Sequence, residues 1–303
     1  MQISRRTLFV LMASTAPAQS AATLRIGANT AITGYSLTQA VELLRAIKFP
    51  VIEIHAMGST AATPDQFPGF EFDRLSDSER TAIRRLLRGF EHVTAHLPYT
   101  GLEYFSPDRK IAEAAIKRID VAIEGCQHFG VRLAVIHPKP GTGLVEQFRR
   151  WGDLAAKSGM RLALETGYPR SVPAFTKLIE DIAHPMVGAT LDVGHQGQYT
   201  ELAGIAANQR GSTDAVRAYN DVNLQLVERL GKKLFHLHVH DVDRETWKEH
   251  QPMGTGFVDY TRLIAKLRDI QFDGVLMLEI GGSADRMPDH LRAAKRYLEN
   301  FLR

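Results

Sequence analysis

Acids and imidazoles recur in this chain at one kind of place, the end of a short β-rich run. His55 closes the run 51–55, His96 closes 92–96, His137 closes 133–137 and Glu165 closes 161–165. Asp192 closes 187–192 with His195 three residues on, His238 closes 234–238, and Glu279 closes 275–279. One charged residue at such a place is usually a solvated turn residue. Three acids and several imidazoles gathered in one pocket are different, because the acids would repel and shift one another's pKa unless a cation lay between them. Oxygen and imidazole donors suit one divalent ion, manganese, cobalt, magnesium or zinc. The single cysteine, Cys126, supplies no thiolate cluster that would narrow the choice, and in a helical segment it reads as a packed small residue.

Those residues meet only if the elements carrying them converge. An eighth β-rich run, Leu24–Ala28, precedes the others, and the runs alternate with helical segments such as Leu37–Ile47, Asp108–Phe129, Val145–Lys157, Thr213–Leu230 and Tyr260–Asp269. In the first of these, Val41, Leu44 and Ile47 recur at three-residue steps. Gly130 and Gly231 stand where helix caps are expected. Strands alternating with helices pair in parallel and are covered on both faces. Eight such units predict an α/β chain folded as a single-domain (β/α)8 TIM barrel. That fold typically needs about 250 residues, and the chain has 303. An open doubly wound sheet that binds nucleotides would carry Gly-x-Gly-x-x-Gly after its first strand; here the turn reads Gly27-Ala28-Asn29-Thr30. In a barrel the C-terminal strand ends share one face, so residues 55 to 279 come together.

The first 22 residues read as a signal peptide, leaving 23–303 for the barrel. Arg5-Arg6 follow Ser4, a short apolar run ends near Ala13, and Ala16-Pro17-Ala18 supplies small residues for cleavage. The paired arginines resemble a twin-arginine signal, which predicts export in the folded state to the periplasm or beyond. The apolar run is too short for stable membrane insertion. The formal net charge is +3, of which Arg5 and Arg6 supply two, so the remainder has no electrostatic footprint for nucleic acid. A small molecule is the expected partner, and a homo-oligomer is compatible with the sequence. No glycine-rich loop or Arg/Lys cluster marks a phosphate site.

Several segments resemble the xylose isomerase-like barrel superfamily, which includes ketose 3-epimerases, inosose isomerases and dehydratases, dehydroshikimate dehydratases and apurinic endonucleases. They are Leu162-Ala-Leu-Glu165-Thr166, Leu191-Asp192-Val-Gly-His195, His236-Leu-His238-Val-His240-Asp241, His250-Gln-Pro-Met-Gly254-Thr-Gly256 and Leu278-Glu279-Ile280. The resemblance covers nearly all of the mature chain. It implies Glu165, Asp192, His238 and Glu279 as metal ligands. Strand alternation places His236, His238 and His240 on one face, so spacing alone does not choose; His238 is the one that matches the family's His-x-x-Asp spacing, with Asp241.

The resemblance further implies a sugar or cyclitol isomerase or epimerase working through an enediolate, with Glu165 and Glu279 as acid and base. His96, His137, His195, His250 and, more loosely, Arg244 would bind substrate. An alternative is a dehydratase or lyase acting on a keto-sugar or cyclitol, since both reactions begin with the same proton abstraction. A more distant alternative is a zinc phosphodiesterase of the apurinic endonuclease type. Its pattern has an aspartate where this chain has Lys248, which puts a positive charge where a cation needs an anion.

Overall fold

The computed structural model describes residues 24–63 and 66–302; the signal segment read at 1–22 lies outside them. The expected β runs form strands β1 Arg25–Asn29, β2 Val51–His55, β3 His92–His96, β4 Leu133–Ile136, β5 Arg161–Glu165, β6 Val187–Asp192, β7 Leu234–Val239 and β8 Val275–Leu278. They pair in chain order, all parallel, and β8 returns to β1 to close an eight-stranded barrel. His137 and Glu279 fall one residue beyond their strands, and His238 one residue before the end of β7.

The helices are α1 Leu37–Ala46, α2 Asp77–Leu86, α3 Arg109–His128, α4 Leu144–Ala156, α5 Val172–Ile182, α6 Thr213–Leu230, α7 Tyr260–Asp269 and α8 Met287–Leu302. Most turn an apolar stripe to the barrel, as Leu37, Ala40, Val41 and Leu44 do in α1, whereas α2 buries Ile83 alone. Their starts are fixed by short polar side chains that accept backbone N–H groups: Ser36, Ser76, Asp108, Ser171, Ser212 and Asp259. Gly130 follows α3 at φ 74° and Gly231 ends α6 at φ 50°, conformations that favour glycine.

Inside the barrel every second residue points to the axis. At the N-terminal end this lining is apolar: Val51, Val275 and Met277 form one cluster, and Leu133, Val135, Ala163 and Phe235 another. Two glycines make the room. A methyl group on Gly27 would stand 2.6 Å from Met277 Cε, and one on Gly188 would stand 2.5 Å from Phe235 Cε2. Two residues further along the same strands the lining becomes ionisable.

The change depends on one irregularity. Leu234 pairs with Ala189, but the next pair is His236 with Thr190, so β7 carries an unmatched residue, Phe235. This bulge lets Phe235 pack against the apolar lining while His236 and His238 stand level with Thr190 and Asp192.

Candidate active site at the mouth of the barrel

Glu165, Asp192, His238 and Glu279 converge from β5, β6, β7 and the end of β8, with one donor atom of each lying within 4.8 Å of the others. His238 is central. Its Nδ1 lies 2.8 Å from Glu165 Oε1, 2.8 Å from Glu279 Oε2 and 3.9 Å from Asp192 Oδ2. Strand register produces this: Asp192 is level with His238, and His238 with Met277, two residues before Glu279.

A second layer of imidazoles surrounds the acids. Glu165 Oε2 meets His137 Nε2 at 2.6 Å and His96 Nε2 at 3.2 Å. His96 donates Nδ1–H to the Leu97 carbonyl at 2.9 Å, which leaves Nε2 for the pocket. His195 donates Nδ1–H to the Thr166 carbonyl at 2.8 Å and holds Nε2 3.9 Å from Asp192 Oδ1. His240 Nε2 lies 3.1 Å from Asp192 Oδ1, and the His250 ring centroid lies 4.5 Å from that of His240. Asp192, His195 and His250 form a further group with donor atoms close enough to share an ion, as do His96, Glu165 and His238.

The electrostatics keep the acids ionised. Burial raises the pKa of Glu165, but the imidazoles of His137 and His238 overcome it and hold the carboxyl well below its ordinary range. Burial likewise opposes ionisation of Asp192, and His195 and His240 outweigh it. Glu279 is pulled down to about 2, against burial, chiefly by His238. The reciprocal effect acts on the imidazoles. Burial lowers His238, yet Glu279, Glu53 and Glu165 push it well above its usual value. His195 rises to about 9, as Asp192, Glu165 and Glu249 prevail over burial. Ionised oxygens already converging on one point are the donor set that a divalent cation requires.

Arg244 is not brought to this cluster. It is exposed, and its Nε donates to the Gly211 carbonyl at 2.8 Å. The reason is local: Asp243 Oδ1 accepts from Thr246 N and Oγ1, which closes a tight turn that carries residue 244 outward. Asp241, the aspartate of the His-x-x-Asp match, holds the loop instead of facing the acids. Its carboxylate accepts from the backbone N–H of Val242, Gly254 and Val258.

Glu53 is the buried acid of this cluster that sequence reasoning missed. It sits fully buried in the middle of β2, with Oε1 3.0 Å from His238 Nε2 and Oε2 3.2 Å from His236 Nε2. These are ion-pair distances, not aligned hydrogen bonds, since both Nε2 atoms lack a hydrogen-bond partner; Thr94 Oγ1 donates to Oε2 at 3.1 Å. Glu53 thus faces the nitrogen of His238 opposite the acids. A signal was present: an acid centred in Val51-Ile-Glu-Ile-His55 shares its inward parity with His55. His55 is buried beside it, stacked on His96 at 5.3 Å. Tyr99, stacked on His137 at 4.7 Å, was also missed.

Residues 33–301 match the profile of the family described as the xylose isomerase-like TIM barrel. The chain belongs to that family. A curated relative, an uncharacterized protein of Methanocaldococcus jannaschii, is 22% identical over 231 residues, which is 68% of this chain and 70% of the relative. Among solved structures, a D-tagatose 3-epimerase-like protein superposes with TM-score 0.68 at 21% identity, covering 92% of this chain and 98% of its own. A D-psicose 3-epimerase determined in the presence of D-fructose superposes with TM-score 0.67 at 15% identity, covering 92% and 99%. At these identities the likeness is one of fold.

Proposed function

We propose that the protein is a divalent-metal-dependent isomerase or epimerase of a sugar or cyclitol, working through an enediolate. The observation that carries this reading is the meeting of Glu165 and Glu279 at one imidazole nitrogen, each 2.8 Å from His238 Nδ1, with Asp192 completing the set. The donor set fits the cation: three buried or half-buried carboxylates, one imidazole and no thiolate, with the acids held ionised. Glu165, Asp192, His238 and Glu279 would hold it; manganese, cobalt, magnesium and zinc all accept such ligands. When bound, the ion supplies positive charge against the oxyanion that develops beside an ionising carbon.

The chain's own residues do the rest. Glu165 and Glu279 reach the site from β5 and from the end of β8, so one can take a proton from one face of a carbon and the other can return it on the opposite face. His195, with Nδ1–H committed to Thr166, presents Nε2 to substrate hydroxyls. His96, His137 and His250 line the same mouth and would orient the remaining hydroxyls. The fold shared with a D-tagatose 3-epimerase-like protein and a D-psicose 3-epimerase supports a small carbohydrate as substrate. The phosphodiesterase reading has one observation in its favour, the second group Asp192–His195–His250, and Lys248 against it.

Elemental mass spectrometry of the mature protein, beside Glu165→Gln, tests the centre. About one divalent ion per chain, lost in the variant, is the expected result. Two or three zinc ions would favour hydrolysis, and no metal in either protein would sink the proposal. Incubation with ketoses in heavy water then reads the chemistry: deuterium at the carbon beside the carbonyl marks epimerisation, and loss of water moves the reading to a lyase. Export is part of the proposal, tested by fractionating cells that express the chain with Arg5 and Arg6 replaced by lysine; unchanged periplasmic yield would remove it.

A further inference from the structure

Beside the metal-binding cluster, and sharing His195 as a wall, lies a cavity of about 460 Å³. Three loops build it. Arg170 comes from the loop after β5, Arg210 from the loop after β6, and Lys248 with Trp247 and Glu249 from the loop after β7. Two arginines and a lysine therefore face one acid, an excess of two positive charges before His195 is counted.

These cations differ in how they are held. Arg210 is fixed: Nη1 donates to the Thr246 carbonyl at 2.9 Å, the guanidinium lies 5.1 Å from the Trp247 ring centroid, and its Nε is buried without a partner. Arg170 and Lys248 are exposed, and neither side chain has a hydrogen bond or salt bridge among the described residues. Asp243, which feels the Lys248 charge, already accepts from Glu245 N, Thr246 N and Thr246 Oγ1. Glu249 leans toward the imidazoles instead, 3.9 Å from His195 Nε2 and 4.0 Å from His250 Nδ1. Unpaired guanidinium and ammonium groups converging in one concave place recognise phosphate or carboxylate oxygens.

We propose that this cavity binds an anionic group, a phosphate or a carboxylate, on the part of the substrate remote from the reacting carbon. The proposal rests on the sugar-enzyme reading above and narrows its substrate to acidic sugars or cyclitols. His195 is the joint, since it borders both the acids and the cavity, so one ligand would span the two.

The test separates this pocket from the metal. Inorganic phosphate and D-glucuronate are each titrated at low ionic strength into chelator-treated protein, so that neither can ligate a cation, with binding followed by ligand-observed NMR. The same titrations are made on Arg170→Gln/Lys248→Met, whose two side chains are exposed. At least one of the two anions is expected to bind at millimolar strength and to weaken about tenfold or more in the double variant, as the loss of one charge-assisted contact would give. Preference for phosphate would identify a sugar phosphate, and preference for glucuronate an acidic sugar. Binding of neither anion at up to about 50 mM, or equal binding by the double variant, would overturn the proposal. Metal content of both proteins is measured in parallel. Anion binding without metal sinks the isomerase reading alone, and metal without anion binding sinks this one alone.

Discussion

The two ends of the barrel interior are built by the same strands and do opposite work. At the N-terminal end Val51, Met277, Leu133, Val135 and Phe235 fill the bore with hydrocarbon. One or two residues further along, Glu53, His55, His96, Glu165, Asp192, His236 and His238 fill it with ionisable groups, all buried. The first layer gains free energy by leaving water. The second spends it, because taking charges out of water is costly even where carboxylates and imidazoles face one another, as Glu165 and His238 do. The barrel holds its chemistry in a layer that destabilises it and its stability in a layer that does no chemistry.

Substitutions should therefore separate cleanly by depth. The largest effect is expected from Glu279→Gln, which removes a proton-transferring group. Turnover should fall by about 10³-fold while the circular dichroism spectrum is retained, and a variant with full activity would end the proposed mechanism. Met277→Ala should do the reverse, costing about 2–5 kcal/mol in urea unfolding with kcat little changed. A large loss of kcat there would show that the two layers are coupled.

Glu53→Gln probes the border between the layers. Metal affinity, measured by competition with a chelating dye, should drop about 10–100-fold; unchanged affinity would reduce Glu53 to a packing role. The smallest effect expected is on pH dependence. His55 is lowered to about 4, first by burial and then by His96, so the unfolded chain takes up the proton that the folded chain refuses. Stability of the metal-free protein should thus fall as pH drops from about 6.5 toward 4, and His55→Phe should flatten that fall by about 1–2 kcal/mol between pH 7 and 5. An identical slope in the variant would assign the acid sensitivity to other groups.

How much of this was legible depended on whether the signal was local. Strands β2, β3, β5 and β6 were read to the residue, because apolar runs end where the chain turns into the next helix. Glu165, Asp192, His238 and Glu279 were readable together because each sits at or beside a strand end and the barrel gathers such positions on one face. Glu53 escaped because it lies in mid-strand, where an acid looks like an interruption until its parity with His55 is noticed. Arg244 misled because its spacing from His238 ignored the turn at Asp243. The basic cavity was invisible for a different reason. Arg170, Arg210 and Lys248 lie 40 and 38 positions apart in sequence, and only three folded loops make them neighbours.

The bulge at Phe235 has one more consequence, for how such a site could be gained or lost. Sliding a strand by one residue exchanges its inner and outer faces. Were Phe235 to pair with Thr190 without the bulge, Leu237 would stand beside Asp192, and His236, His238 and His240 would turn together toward the helices. The imidazoles of β7 therefore form a single inheritable unit. Whether the strand bulges at Phe235 or pairs straight through it decides if the whole histidine comb faces the pore, and no stepwise path of substitutions along the strand would be needed.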